Sequence, residues 1–375
     1  MKGELKELDI LIPVGLSFYT LQAFGYIYDV YRGKYAAEKN LLKYSLFIAF
    51  FPTITSGPIE RGSNLLGQIS EKKHLDVENL RYGLLSFMWG IYLKLVVADN
   101  LSILVEGVIN NYTEWKGCEI VIATMLYGIQ IYCDFWGYSE MAIGVAKTLG
   151  FDIIHNFRAP YLSGNVKEFW RRWHISLTSW FTDYLYIPLG GNRHGILKKY
   201  INIMLVFGIS GLWHGASLKY LLWGLLNGFY LVLYDIYSRY HKTKVISKGR
   251  YLLNCVGTFM IIDFAWFFFM MPSLSQAIDV LKYAVNNFHV GKLLIGGIVA
   301  PFDDKWQLFI FAVSMLMITF FDYLEIHKID FKVMILKQET IVRWIFYFFI
   351  LMTTIVCGVY GNETGTTVQF IYSQF

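Results

Sequence analysis

The sequence predicts an all-α polytopic membrane protein, and three observations predict it. Of its 375 residues, 55% are hydrophobic and 18% aromatic against 16% charged, and mean hydropathy is positive; a soluble domain of this length needs far more charge to cover its surface. Several apolar stretches approach or pass the ~18–20 residues that cross a bilayer. Lysine and arginine gather in the connections between those stretches, as cytoplasmic loops require. The net charge of +5 is too diffuse to imply a nucleic-acid partner, so the expected partner is the lipid bilayer. The first nine residues, MKGELKELD, are too acidic and polar to begin a signal peptide. Cys118, Cys133, Cys255 and Cys357 show neither a CxxC pair nor metal-ligand spacing; they read as small apolar filler, and no metal site is expected.

Candidate membrane segments are 10–31, 41–58, 82–109, 119–149, 200–238 (a hairpin), 251–271, 306–324 and 343–360. No linker divides the chain, so residues 1–375 are expected to form a single membrane domain. The connections 150–199, 239–250 and 325–342 carry clusters of Lys and Arg and are assigned to the cytoplasm; 110–118, 272–305 and the C-terminus are assigned outside. Segment 41–58 is flanked by basic stretches on both sides and holds Pro52 and Pro58, which disrupt helix. It is expected to enter and return on one side.

Two histidines stand out. His214 lies in SGLWHGAS, between Lys198–Lys199 and Arg239. The outgoing arm, 200–212, rises about 20 Å at ~1.5 Å per residue, short of the ~30 Å hydrocarbon core. That places the turn inside the membrane, where irregular backbone is tolerated only if buried in protein or lining a cavity. A histidine there either bridges helices as a structural group or performs chemistry; intramembrane ionisable groups favour the second. His174 lies in a predicted amphipathic helix that starts at the cap Asn165, with Glu168 three residues on. Phe169, Trp170, Trp173, Leu177, Trp180 and Tyr184 share one face, Glu168, Arg171, Arg172 and Ser179 lie opposite, and His174 sits on the border. The plain alternative is a helix that lies on the membrane surface and does nothing more. Arg171, Arg172 and Arg193 are candidates to hold donor phosphates, or they anchor the cytoplasmic face. Asp134, with Gln130 one turn away, is a supporting polar candidate expected to pair with an arginine or orient a histidine. No partner is assigned to Asp263.

These same residues carry a resemblance. EFWRRWHISLTSWFTDYLYIPLGGNR followed by SGLWHGAS is similar to the membrane-bound O-acyltransferase (MBOAT) family, in its bacterial alginate O-acetyltransferase-like branch. DILIPVGLSFYTLQAFGYIYDVYRG, FFPTITSGPIERG, QIYCDFWGYSEMAIGVAKTLGF and the terminal QFIYSQF extend it over essentially the whole chain. The chain departs from the pattern at Trp136, Glu140, Thr182 and Asn227, and on this resemblance the given sequence is expected to start after the family's usual N-terminal helices. The resemblance implies a ring of tilted transmembrane helices with re-entrant and interfacial helices and a central tunnel, in the cytoplasmic membrane of a bacterium. It implies that His214 is the catalytic histidine and His174 the second polar position.

The implied reaction is O-acyl transfer, most simply acetyl transfer, to an extracytoplasmic polysaccharide or cell-wall glycan. The co-substrate is a cytoplasmic thioester, acetyl-CoA or an acyl carrier protein, with no bound cofactor, and an extracytoplasmic acetyltransferase is an expected partner. His214 would act as general base, and His174 would orient a reactant or donate to the oxyanion; an acyl-histidine is the less favoured variant. The alternatives are D-alanyl transfer to teichoic acid from an acyl carrier protein, or a transporter or scaffold with no such chemistry.

Overall fold

A computed structural model describes residues 15–241, 247–289, 291 and 305–361. Predicted features at 10–14, 242–246, 292–304 and the terminal QFIYSQF lie outside the described residues. The helices are α1 Leu16–Tyr31, α2 Leu41–Ile48, α3 Gly62–Ser70, α4 Val77–Tyr92, α5 Asp99–Asn110, α6 Gly117–Thr148, α7 Val166–Arg172 and α8 Ile175–Phe181. They continue with α9 Gly195–Trp213, α10 Leu218–Tyr240, α11 Lys248–Met270, α12 Leu274–Asn286, α13 Lys305–Ile326, α14 Phe331–Leu336 and α15 Thr340–Cys357. Among the described residues there is no β-strand, and six helical runs are long and apolar enough to cross a membrane. One of them joins α4 to α5 without interruption through a π-helical segment, Leu93–Ala98.

The centre of the fold is α6. Its membrane-length window is 83% buried, against 11% for α15, whose Ile341, Trp344, Ile345 and Phe348 point outward. This contrast follows from lipid serving as solvent for the outer helices. Helices α4, α5, α11 and α12 all pack on α6. The α4–α6 contact is a seam of glycines seven residues apart on each helix. A Cβ added at Gly83 would lie 2.5 Å from the Gly144 carbonyl oxygen, and one at Gly90 would lie 2.5 Å from that of Gly137. Small residues let membrane helices approach until their backbones touch, where dispersion contacts supply the attraction. A smaller cluster, with Tyr26, Phe47, Phe50 and Leu65, packs against Ala142, Ile143 and Ala146 of α6.

Most predicted segments appear where the apolar pattern puts them; two regions gain detail, and the length of the hairpin arm needs correction. Segment 41–58, expected to enter and return on one side, is helical only to Ile48 and then turns; its helix α2 packs on α3. The 272–305 stretch is not simply a loop: it contains α12, whose Ala277, Val280 and Ala284 are buried. The outgoing arm of the histidine hairpin begins at Gly195, so α9 has 19 residues and rises about 28 Å. That is close to the thickness of the hydrocarbon core, so arm length does not require His214 to sit at mid-depth.

Replacing Gly90 with Ala should cost about 1–3 kcal/mol through overpacking against a carbonyl. It should lower the melting temperature in detergent, whereas Gly107→Ala, where a Cβ meets nothing within 4 Å, should leave it unchanged or raised.

Candidate active site

The predicted amphipathic helix is two helices. Asn165 caps α7 as expected, its side chain accepting from the Glu168 amide at 2.9 Å, and Glu168 Oε2 accepts from the Gly164 amide at 2.8 Å. The helix then stops. His174 adopts φ 44°, ψ 54°, a left-handed backbone that costs a non-glycine residue on the order of 1–3 kcal/mol. The break is satisfied from outside: Arg158 N donates to Arg172 O at 3.0 Å, and Ile175 N donates to Asn156 O at 2.9 Å. The side-chain periodicity survives because a single left-handed residue redirects the chain while its aromatic neighbours stay buried. This is why spacing alone read one continuous helix.

His214 follows the last residue of α9, its amide bonded to Ser210 O and Gly211 O. Gly215 comes next at φ 152°, where a Cβ would sit 2.5 Å from the Tyr220 ring. The turn therefore needs glycine, and it hands the chain to α10. Both histidines are buried, each 2% exposed. The Trp213 ring joins them, with centroids 4.8 Å from His214 and 6.4 Å from His174. Phe135 of α6 meets His174 edge-on at 4.5 Å, while Trp223 and Phe269 stand edge-on to His214 at 5.1 and 5.5 Å.

His174 and His214 line one cavity of about 430 Å³. Its walls are mainly apolar, with Trp170, Leu177, Phe181, Ile203 and Phe207, and its lining also includes Lys167, Arg171 and Lys199, the last paired with Asp235 of the same lining at 2.5 Å. Trp170 and Trp223 also line this cavity, and their indole Nε1 atoms are buried with no hydrogen-bond partner among the described residues. The site thus combines two imidazoles, apolar walls and a charged rim with an excess of cations.

The other predicted residues divide. Arg171 is exposed at the mouth and also borders a second, charged cavity of about 580 Å³. Arg172 lines only that second cavity; it pairs with Glu168 at 2.6 Å and donates to Leu162 O at 3.1 Å, which ties down the start of α7. Arg193 is exposed in the turn before α9 and lines neither cavity. Asp134 pairs with Lys94 at 2.6 Å, a lysine rather than the expected arginine or histidine, and Lys94 also pairs with Asp99 at 2.7 Å. Gln130 is buried and lines neither cavity. Asp263 lies buried against Gly128 of α6. Trp136 and Glu140, two of the departures from the family pattern, bond to each other at 3.2 Å, and Glu140 pairs with the buried Lys332 at 2.8 Å. Sequence reading missed Lys94, although a lysine and an aspartate within the apolar run 82–109 are a signal of an internal ion pair. It also missed Lys167 and Lys199 as part of the mouth. Among the described residues no group of three or more His, Cys, Asp and Glu is placed to hold a metal ion.

These features define a multi-pass membrane protein with a buried two-histidine cavity. The family model "MBOAT, membrane-bound O-acyltransferase family" matches residues 36–275, and the chain belongs to this family. It is 37% identical over 268 residues to the probable alginate O-acetylase AlgI of Pseudomonas aeruginosa, covering 72% of this chain and 50% of that protein. It is 34% identical over 311 residues to the peptidoglycan O-acetyltransferase of Helicobacter pylori, covering 76% and 59%. To the teichoic acid D-alanyltransferase of Bacillus subtilis it is 27% identical over 270 residues, covering 68% of each. The matches to the alginate and peptidoglycan proteins span about half to three-fifths of their length.

Lys94→Met should destabilise the protein by about 3–5 kcal/mol, because it strands two buried carboxylates. Unfolding titrations in detergent should show this loss, with a smaller one for Asp134→Asn, which leaves the Lys94–Asp99 pair in place.

Proposed function

We propose that this chain carries the reacting core of an O-acyltransferase. It moves an acetyl group from a thioester donor on its basic side to a hydroxyl of a polysaccharide or cell-wall glycan across the membrane. The observation that carries this reading is the meeting of His174 and His214, distant in sequence, in one buried cavity with a cationic mouth. The names of the alginate and peptidoglycan relatives support acetyl as the group and a glycan as the acceptor.

In this mechanism His214, as neutral imidazole, takes the proton of the acceptor hydroxyl while the hydroxyl oxygen attacks the thioester carbonyl. The carbonyl oxygen becomes anionic, and His174 orients the reactant or donates a hydrogen bond to that oxygen. The carbon–sulfur bond then breaks, and the thiolate leaves with the proton that His214 returns. Arg171, with Lys167, meets the phosphates of acetyl-CoA or of an acyl carrier protein's prosthetic arm. A partner acetyltransferase outside the membrane receives the group and passes it to the glycan. A second reading, D-alanyl transfer to teichoic acid, draws on the similarity to the Bacillus protein.

Cells carrying His214→Ala should lose ~100-fold or more of their base-releasable glycan acetyl while the protein still inserts at normal abundance. Unchanged acetyl content would sink the enzymatic reading, and loss of D-alanyl esters instead of acetyl would select the second.

A further inference from the structure

Helix α8 begins at an unusual N-cap. The cap position usually holds Ser, Thr, Asp or Asn, whose side chain accepts from the first amides of the helix. Here it is His174, whose side chain makes no capping hydrogen bond and lines the cavity. The cap comes from another part of the chain. Asn156 Oδ1 accepts from the Ser176 amide at 3.3 Å and from the Ser176 hydroxyl at 2.6 Å. The Asn156 carbonyl takes the Ile175 amide at 2.9 Å.

Asn156 is itself held in place. Its Nδ2 donates to Ser139 Oγ of α6 at 3.2 Å. Ser176 Oγ also accepts from the Ile59 amide at 3.0 Å, and Glu60 Oε1 accepts from the Ile154 amide at 2.6 Å. The irregular segments 59–60 and 154–156 and the start of α8 are therefore laced together next to His174 in the chain. Asn156, Ser139 and Ser176 are all buried, so water cannot replace these bonds.

We infer that Asn156 is a positioning residue for His174: by capping α8 from a distant segment it holds the left-handed turn and frees the imidazole to face the cavity. A local cap would have needed the side chain at position 174 for itself. Separating the cap from the ring lets one position start a helix and still present an imidazole to the reacting space. The inference rests on the proposed role of His174 only where activity is the readout.

The test compares Asn156→Ala, Asn156→Asp and Asn156→Ser in the full chain in detergent. In an experimental structure of N156A, residue 174 should leave the left-handed region and its ring should leave the cavity, with the His214 turn unchanged. Acetyl transfer should fall ~10–100-fold in kcat with donor KM unchanged. N156D, which keeps an acceptor at Oδ1, should recover part of that loss. A N156A/H174A double variant should be no worse than H174A. If N156A does not accumulate, N156S, which withdraws the oxygen from Ser176 but keeps the main-chain carbonyl, carries the same structural readout. A His174 backbone and ring that stay in place in these variants, or losses that multiply in the double variant, would overturn the inference. A displaced ring alongside a fully active H174A would uphold the positioning and remove His174 from the chemistry.

Discussion

A backbone amide or carbonyl that water cannot reach must find its partner inside the protein. The architecture around the two histidines follows from that constraint. Where α7 stops and α8 starts, the orphan groups at Arg172, Ile175 and Ser176 are taken up by residues 156–158. Where α9 ends, the His214 amide returns to Ser210 and Gly211, and Gly215 turns the chain into α10. Each histidine thus sits at a helix boundary, and both line the same cavity.

The surroundings divide into a fixed wall and an approachable mouth. Behind the imidazoles stand Trp223, Trp266, Phe269 and Phe135, aromatic rings packed edge to face at centroid distances near 5 Å. Such contacts define ring orientation as well as excluding water. Toward Lys167, Arg171 and Lys199 the lining becomes polar. Under the proposed reaction this lining would let a charged donor approach from the polar side, leaving the imidazoles among apolar walls, where fixed donors act most strongly.

The remaining buried charges hold the frame. Lys94 joins Asp99 and Asp134 across the α4–α6 boundary, and Lys332 joins Glu140 across α14 and α6. Both networks converge on the helix that also presents Phe135 to His174. The π-helical segment at Leu93–Ala98 carries Lys94, and such insertions in an otherwise regular helix re-aim a side chain. Charge pairing and the glycine seam together hold α6 against its neighbours, and α6 in turn supplies Ser139 beneath the His174 turn.

Most of the long apolar helices and the hairpin around His214 were legible from residue spacing and composition, because apolar periodicity and length are local properties. Asn165 and Glu168 marked the start of α7 for the same reason. The break at His174 was not legible: a left-handed residue held by Asn156 leaves no trace in the spacing of Trp170, Trp173 and Trp180. Nor could sequence pair Asp134 with Lys94, or sort Arg171 at the cavity mouth from Arg172 and Arg193 away from it. By itself the sequence determined which residues belong to apolar helices and which two histidines are out of place there. Only the tertiary structure decided which way those rings face and which charges meet. Those outcomes depend on hydrogen bonds and ion pairs between segments far apart in the chain, which no local pattern records.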